Sequence, residues 1–107
     1  MHAAFAHLSH LLPVDRLVET ETLLAFHHPA PSYAFHVLLV PKWSYRGWGD
    51  VRPEDAALFH DLVEVSQRLV EKFDLERKGY RLIVNGGPHQ HVPHLHFHLI
   101  SEDVGNT

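Results

Sequence analysis

Hydrophobic and polar positions change period several times along this chain, and each period predicts a different element. Residues 94–100, His-Leu-His-Phe-His-Leu-Ile, alternate imidazole with hydrocarbon, the period-two pattern of a half-buried strand. In that conformation His94, His96 and His98 share one face, roughly 6.5–7 Å apart, while Leu95, Phe97 and Leu99 point into a core. Residues 53–73 follow a helical rhythm instead. Leu58, Leu62, Val65, Leu69 and Phe73 recur at three- and four-residue spacing, and Val63 and Val70 widen the stripe. Pro53 suits the first turn of that helix, Glu54 and Asp55 suit its positive end, and Lys78-Gly79 follows its close.

Between these segments the pattern is that of a sheet. Residues 16–20 and 22–27 read as two strands with a turn near Glu21, and His28-Pro29-Ala30-Pro31-Ser32 reads as a loop. Residues 34–40 form an apolar run broken by His36, predicting a central strand covered on both faces. Trp43, Tyr45 and Trp48, with two glycines, suggest a mobile aromatic loop over 43–50. Residues 80–84 form another strand, closed by Asn85-Gly86-Gly87-Pro88. At the start, Phe5, Leu8, Leu11 and Leu12 predict a short N-terminal helix within residues 1–13, stopped by Pro13. Residues 101–107 read as a polar tail. The expected architecture is a single α+β domain over 1–107, an antiparallel sheet of about five strands with one long helix on one face.

Composition sharpens the chemistry. The chain holds 12 histidines against nine lysines and arginines combined, a density pointing to metal, acid–base or phosphorus chemistry. A formal charge of −4 argues against an extended nucleic-acid partner. A small phosphorylated molecule remains compatible, because one pocket can be positive on an acidic protein. No apolar run approaches the ~20 residues of a membrane span, and the N-terminal stretch lacks the features of a signal peptide. With no cysteine, thiolate zinc sites and a cysteine nucleophile are excluded, and a cytoplasmic location is the expectation.

Read from the residues alone, the alternating histidines support three uses. They can attack phosphorus. They can bind zinc, with His36 from a neighbouring strand, as a metal-dependent hydrolase or metal-binding protein. They can also be a solvated polar face, or bind nucleotides without turnover. His36 by itself reads as a hydrogen-bonded core histidine, Asn85 as a turn residue with positive φ, and Gln90 and His91 as loop residues.

The motif His94-Leu95-His96-Phe97-His98-Leu99-Ile100, with Gln90 four residues ahead, resembles the histidine triad signature. The similarity continues through Ala25-Phe26-His27, His36-Val37-Leu38-Leu39-Val40-Pro41-Lys42, Pro53-Glu54-Asp55 and Arg81-Leu82-Ile83-Val84-Asn85-Gly86-Gly87, in the family's order. The resemblance implies hydrolysis or transfer of a nucleotidyl group at the α-phosphorus with no obligatory metal. It also implies a homodimer formed through the long helix and a central strand. It makes His96 the nucleophile and gives supporting roles to His94, His98 and His36. Gln90 and the main chain at His91 and Val92 are then expected to hold phosphoryl oxygens, with Asn85 near the scissile bond. His27 and His28 fall in the substrate-binding block. Two departures stand out: His28 replaces an aspartate that grips ribose in many members, and His91 replaces a serine or threonine. That leaves nucleoside preference open and lets His91 be a general acid.

Overall fold

The computed structural model describes residues 16–102; the N-terminal helix read at 1–13 and most of the 101–107 tail lie outside them. Five strands, β1 (Arg16–Glu19), β2 (Leu23–His27), β3 (Phe35–Pro41), β4 (Arg81–Val84) and β5 (Phe97–Ser101), form one antiparallel sheet in the order β1-β2-β3-β5-β4. The long helix α1 (Ala56–Lys72) and a short helix α2 (Leu75–Lys78) connect β3 to β4.

The helical stripe makes the core. Leu58, Leu62, Val65 and Leu69 are buried against Leu23 and Ala25 of β2, Val37 and Leu39 of β3, and Phe97 and Leu99 of β5. Alternation then turns Leu24, Phe26, Val40, His36 and His98 to the opposite face, where the first three form a smaller buried cluster. Strand β3 is central, as the apolar run requires, because it is flanked by β2 and β5.

Several boundaries differ from the sequence reading. Helix α1 begins at Ala56, so Pro53 and Glu54 precede it, and Asp55 Oδ2 accepts the Arg52 amide at 2.9 Å. Val63 is 53% exposed and so does not extend the core stripe. The chain leaves α1 through Asp74, whose φ of 57° lets it turn directly into α2. Ser101 is not tail: it ends β5 and is buried. The aromatic loop is pinned rather than mobile. Tyr45 packs on the main core, Trp48 meets Phe97 edge-on at 5.9 Å, and the Leu95 amide donates to the Tyr45 carbonyl at 2.9 Å.

The β1–β2 turn is latched to α1. The hydroxyls of Thr20 and Thr22 donate to Asp61 Oδ2 at 2.8 and 2.6 Å. Partial burial opposes ionisation of Asp61, yet the hydroxyls of Thr22 and Thr20 outweigh it and hold the carboxyl below its ordinary value of 3.8. A depressed folded-state value means a contribution complete above the unfolded pKa and lost as pH falls through the folded one. Asp61→Ala is therefore expected to lower stability by about 1–2 kcal/mol near neutral pH, with the deficit shrinking in acid below the ordinary carboxylate range. Urea melts at several pH values test this; an unchanged midpoint, or a deficit independent of pH, contradicts the latch.

Candidate active site

The three triad histidines do not occupy one regular strand. Only His98 lies within β5; His94 and His96 sit in the extended segment leading into it. Their alternation survives, since Leu95, Phe97 and Leu99 are buried on the helix side while His94, His96 and His98 are half-buried on the other. The lead-in is anchored to the end of β3 and to the chain just beyond it. His94 Nε2 lies 2.9 Å from the Pro41 carbonyl, beside the bond between the Leu95 amide and Tyr45.

Hydrogen-bond partners fix the tautomers, because a carbonyl can only accept and an amide can only donate. His96 Nδ1 lies 2.7 Å from the His94 carbonyl. That nitrogen therefore carries the proton, and the neutral ring keeps its lone pair on Nε2. The Ser32 amide donates to His36 Nδ1 at 3.1 Å, so neutral His36 carries its proton on Nε2. His36 Nε2 lies 2.9 Å from His98 Nδ1 and donates to it. His98 is thereby left with Nε2–H, a buried donor with no partner among the described residues. A main-chain amide in the 28–32 loop thus sets, through one intervening ring, which edge of His98 carries a proton.

Electrostatics agree with neutral rings. Burial, followed by the proximity of His28 and His98, pushes His36 down to about 4. Burial, followed by His96 and His28, also lowers His98. An imidazolium in this group is disfavoured by desolvation and by its neighbours together.

The rings open into a cleft of about 530 Å³. Of the residues expected in the site, His28, His36, Asn85, His91, Val92, His96 and His98 line it. Asn85 does not have positive φ, which removes the turn reading. His94 contributes its carbonyl rather than a wall. Gln90 is not a lining residue: its Nε2 donates to the Arg46 carbonyl at 2.6 Å and to the Val92 carbonyl at 3.0 Å, tying two loops together. A Cβ on Gly47 would meet Gln90 Oε1 at 3.0 Å, so this close approach favours glycine. His27 is turned to the helix face, edge-on to Phe35 and Phe73 at 6.2 and 6.0 Å. Its pairing with the core residue Val37 puts it there, while His28, one step on, reaches the cleft.

Sequence reasoning misses Ser32, Tyr33 and Ile83, which also line the cleft, and reads His89, in the glycine-rich loop, as a residue that could flank the pocket but not one of the site; it too lines the cleft. Ile83 could have been found from the period-two rule on β4, where it pairs with His98. Ser32 and Tyr33 lie in a loop and His89 ends a single 3-10 turn over Gly87–His89, and none of them carries a periodic signal. The aromatic loop is not at the mouth of this cleft, since Trp43 and Tyr45 line a separate hollow against Asp55 and Leu58. Among the described residues, ligand atoms that converge as a metal would require belong to His60, Asp61 and Glu64 on α1. Of the inner histidines, His36 engages both ring nitrogens, and His96 and His98 one each, with the main chain or with one another.

Comparison with known proteins follows this geometry. The family model described as HIT domain matches residues 11–105. An uncharacterized HIT-like protein of Helicobacter pylori is 34% identical over 94 residues, covering 86% of this chain and 88% of that one. The purine nucleoside phosphoramidase of Escherichia coli is 29% identical over 91 residues, covering 83% and 76%. The solved structure of a HIT family hydrolase from Clostridium thermocellum superposes with a TM-score of 0.82 at 28% identity, covering 99% of this chain and 95% of that one. Five antiparallel strands under a long helix, a cleft of imidazoles and a family match over nearly the whole sequence agree: this chain belongs to the HIT, or histidine triad, family.

Proposed function

We propose that the protein is a nucleotide hydrolase or nucleotidyl transferase acting at an α-phosphorus through a covalent intermediate on His96. The observation that carries this reading is the 2.7 Å bond from His96 Nδ1–H to the His94 carbonyl, which leaves Nε2 as an uncharged nucleophile. An anionic nucleophile would be repelled by the phosphoryl oxygens, and a neutral imidazole is not. The similarity to a phosphoramidase and to HIT hydrolases supports the same class.

In the first step the Nε2 lone pair forms a bond to phosphorus, and the bond from phosphorus to the leaving oxygen or nitrogen breaks. The leaving group departs with the electron pair and takes a proton from His91. His98 Nε2–H donates to a non-bridging oxygen, aided by Asn85 and by main-chain amides around His91 and Val92, and so stabilises charge as it develops. Water, or an acceptor hydroxyl in a transfer, then attacks phosphorus and gives its proton to His91. The phosphorus–Nε2 bond breaks and its electron pair returns to the ring. Gln90 acts by holding the 90–92 loop against the Arg46 carbonyl. No step calls on a metal. His36 Nδ1 and His98 Nδ1 already spend their lone pairs on Ser32 and His36, so zinc at the inner rings would have to break both bonds.

The expected partner is a second copy of this chain. Support comes from exposed Val63 of α1, with Tyr80 beside β4 and Leu82 and Val84 within it, at the end of the sheet order. The strand in such a dimer is β4 rather than a central one, because β3 is flanked on both edges. Among the described residues no helix is long and apolar enough to cross a membrane. With no cysteine in the chain, the proposed setting is the cytoplasm.

His96→Ala is expected to cut turnover of adenosine phosphoramidate by roughly 10³-fold or more, the scale at which lost nucleophiles act, with the fold intact by circular dichroism. Rapid-quench intact-mass analysis of the parent protein should show a nucleotidyl adduct that the variant lacks. A variant as active as the parent ends the nucleophile assignment.

Nitrogen-detected NMR titration is expected to show His96 as the Nδ1–H tautomer and His36 as the Nε2–H tautomer. Since His36 is held down to about 4, its ring should stay neutral as pH falls from 8 to 5 and gain its proton only below that. A midpoint near 6.5, or an Nε2–H proton on His96, contradicts the arrangement. Turnover should also be unchanged by exhaustive chelation; a loss restored by added zinc favours the metal reading.

A further inference from the structure

We propose that the cleft selects a substrate carrying a second anionic group, held by His28 one ring beyond the reacting phosphoryl; the proposal rests on the phosphoryl-transfer reading of the site and names its substrate class. Among the described residues, six imidazoles, His28, His36, His89, His91, His96 and His98, line the cleft, and no aspartate, glutamate, lysine or arginine does. Carboxylate acceptors for a sugar diol are therefore missing from its described walls, and apart from the Tyr33 phenol every group there that can acquire charge becomes a cation.

The orientation of His28 sharpens this. The Ala30 amide donates to His28 Nδ1 at 2.9 Å, so that nitrogen bears the lone pair and the neutral ring carries its proton on Nε2. The edge directed away from its own loop is thus a donor whether the ring is neutral or charged. A hydroxyl that must itself donate finds no partner on that edge, whereas a phosphate, sulfate or carboxylate oxygen does. The ring stacks toward His98 with centroids 6.5 Å apart and planes at 21°, and lies 4.4 Å from His36. His28 and His98 therefore present two anion donors in sequence, one for the reacting phosphoryl and one for a second anion. The overall charge of −4 makes this a local property of the cleft.

The second anion can sit on the sugar or along the phosphate chain, and direct binding separates the two. Calorimetry would compare AMP, ADP and adenosine 3′,5′-bisphosphate on the parent protein, His28→Asp and His28→Ala. Either ADP or the 3′,5′-bisphosphate, according to where the second anion lies, is expected to bind the parent at least tenfold more tightly than AMP. His28→Ala should lose that preference, and His28→Asp should reverse it by placing a carboxylate opposite the anion. Equal binding of all three ligands by the parent overturns the proposal, and so does a preference that survives in both variants. Because the readout is affinity, it is independent of the nucleophile. Equal affinities with intact, His96-dependent turnover sink only the His28 assignment, whereas His96-independent turnover sinks the phosphoryl-transfer mechanism.

Discussion

The proposed chemistry depends on one hydrogen bond, donated by His96 Nδ1–H to the carbonyl of His94 two residues before it. A free imidazole exchanges its proton between two nitrogens, and only one of the resulting forms offers Nε2 as a nucleophile. A main-chain acceptor at 2.7 Å removes that ambiguity. Because the carbonyl belongs to the segment carrying the ring, its position is only as good as the anchoring of that segment. Much of the surrounding structure supplies the anchoring: Pro41 at the end of β3 receives His94, Tyr45 receives Leu95, and Gln90 ties the preceding loop to Arg46. Leu95 and Phe97, both buried, fasten the segment from the core side.

A second constraint of the same kind governs His98. Its orphaned Nε2–H is the end of a chain that begins at the Ser32 amide and passes through His36. At His36 and His98 protonation is opposed by burial first and then by neighbouring imidazoles, and His36 is pushed down to about 4. The hydrogen bonds leave His96 with a lone pair on Nε2 and His98 with a proton there, so the two rings present opposite edges to the cleft although their side chains are identical. The identity of each role comes from the partner atom, not from the residue type.

The scaffold separates these demands cleanly. The helix face of the sheet carries the hydrocarbon that stabilises the fold, and the opposite face carries the cleft. His27 and His28 illustrate the separation: adjacent in sequence, one packs edge-on against Phe35 and Phe73 while the other stacks over His36 and His98. His28 and His91, the two positions at which the sequence reading expected departures from the family pattern, both line the cleft.

The sequence by itself determined the fold class, the five strands, the long helix and the face on which the histidines lie, because these follow from periodicity, and periodicity is a local property. Alternation also marked His94, His96 and His98 without coordinates, whereas His36 read by itself as a core histidine and became a site candidate through the neighbouring strand and the family resemblance. Only the tertiary structure decided that the triad leads into β5 rather than lying within it, that Gln90 braces a loop, that His27 faces the helix, and that Trp43 and Tyr45 line a different hollow. It alone decided which nitrogen of each ring carries the proton. Those outcomes depend on contacts between residues as far apart as His36 and His98 or Gln90 and Arg46. No repeat in the chain encodes such contacts; they arise when the sheet closes and brings one strand's main chain within hydrogen-bonding reach of another's side chains.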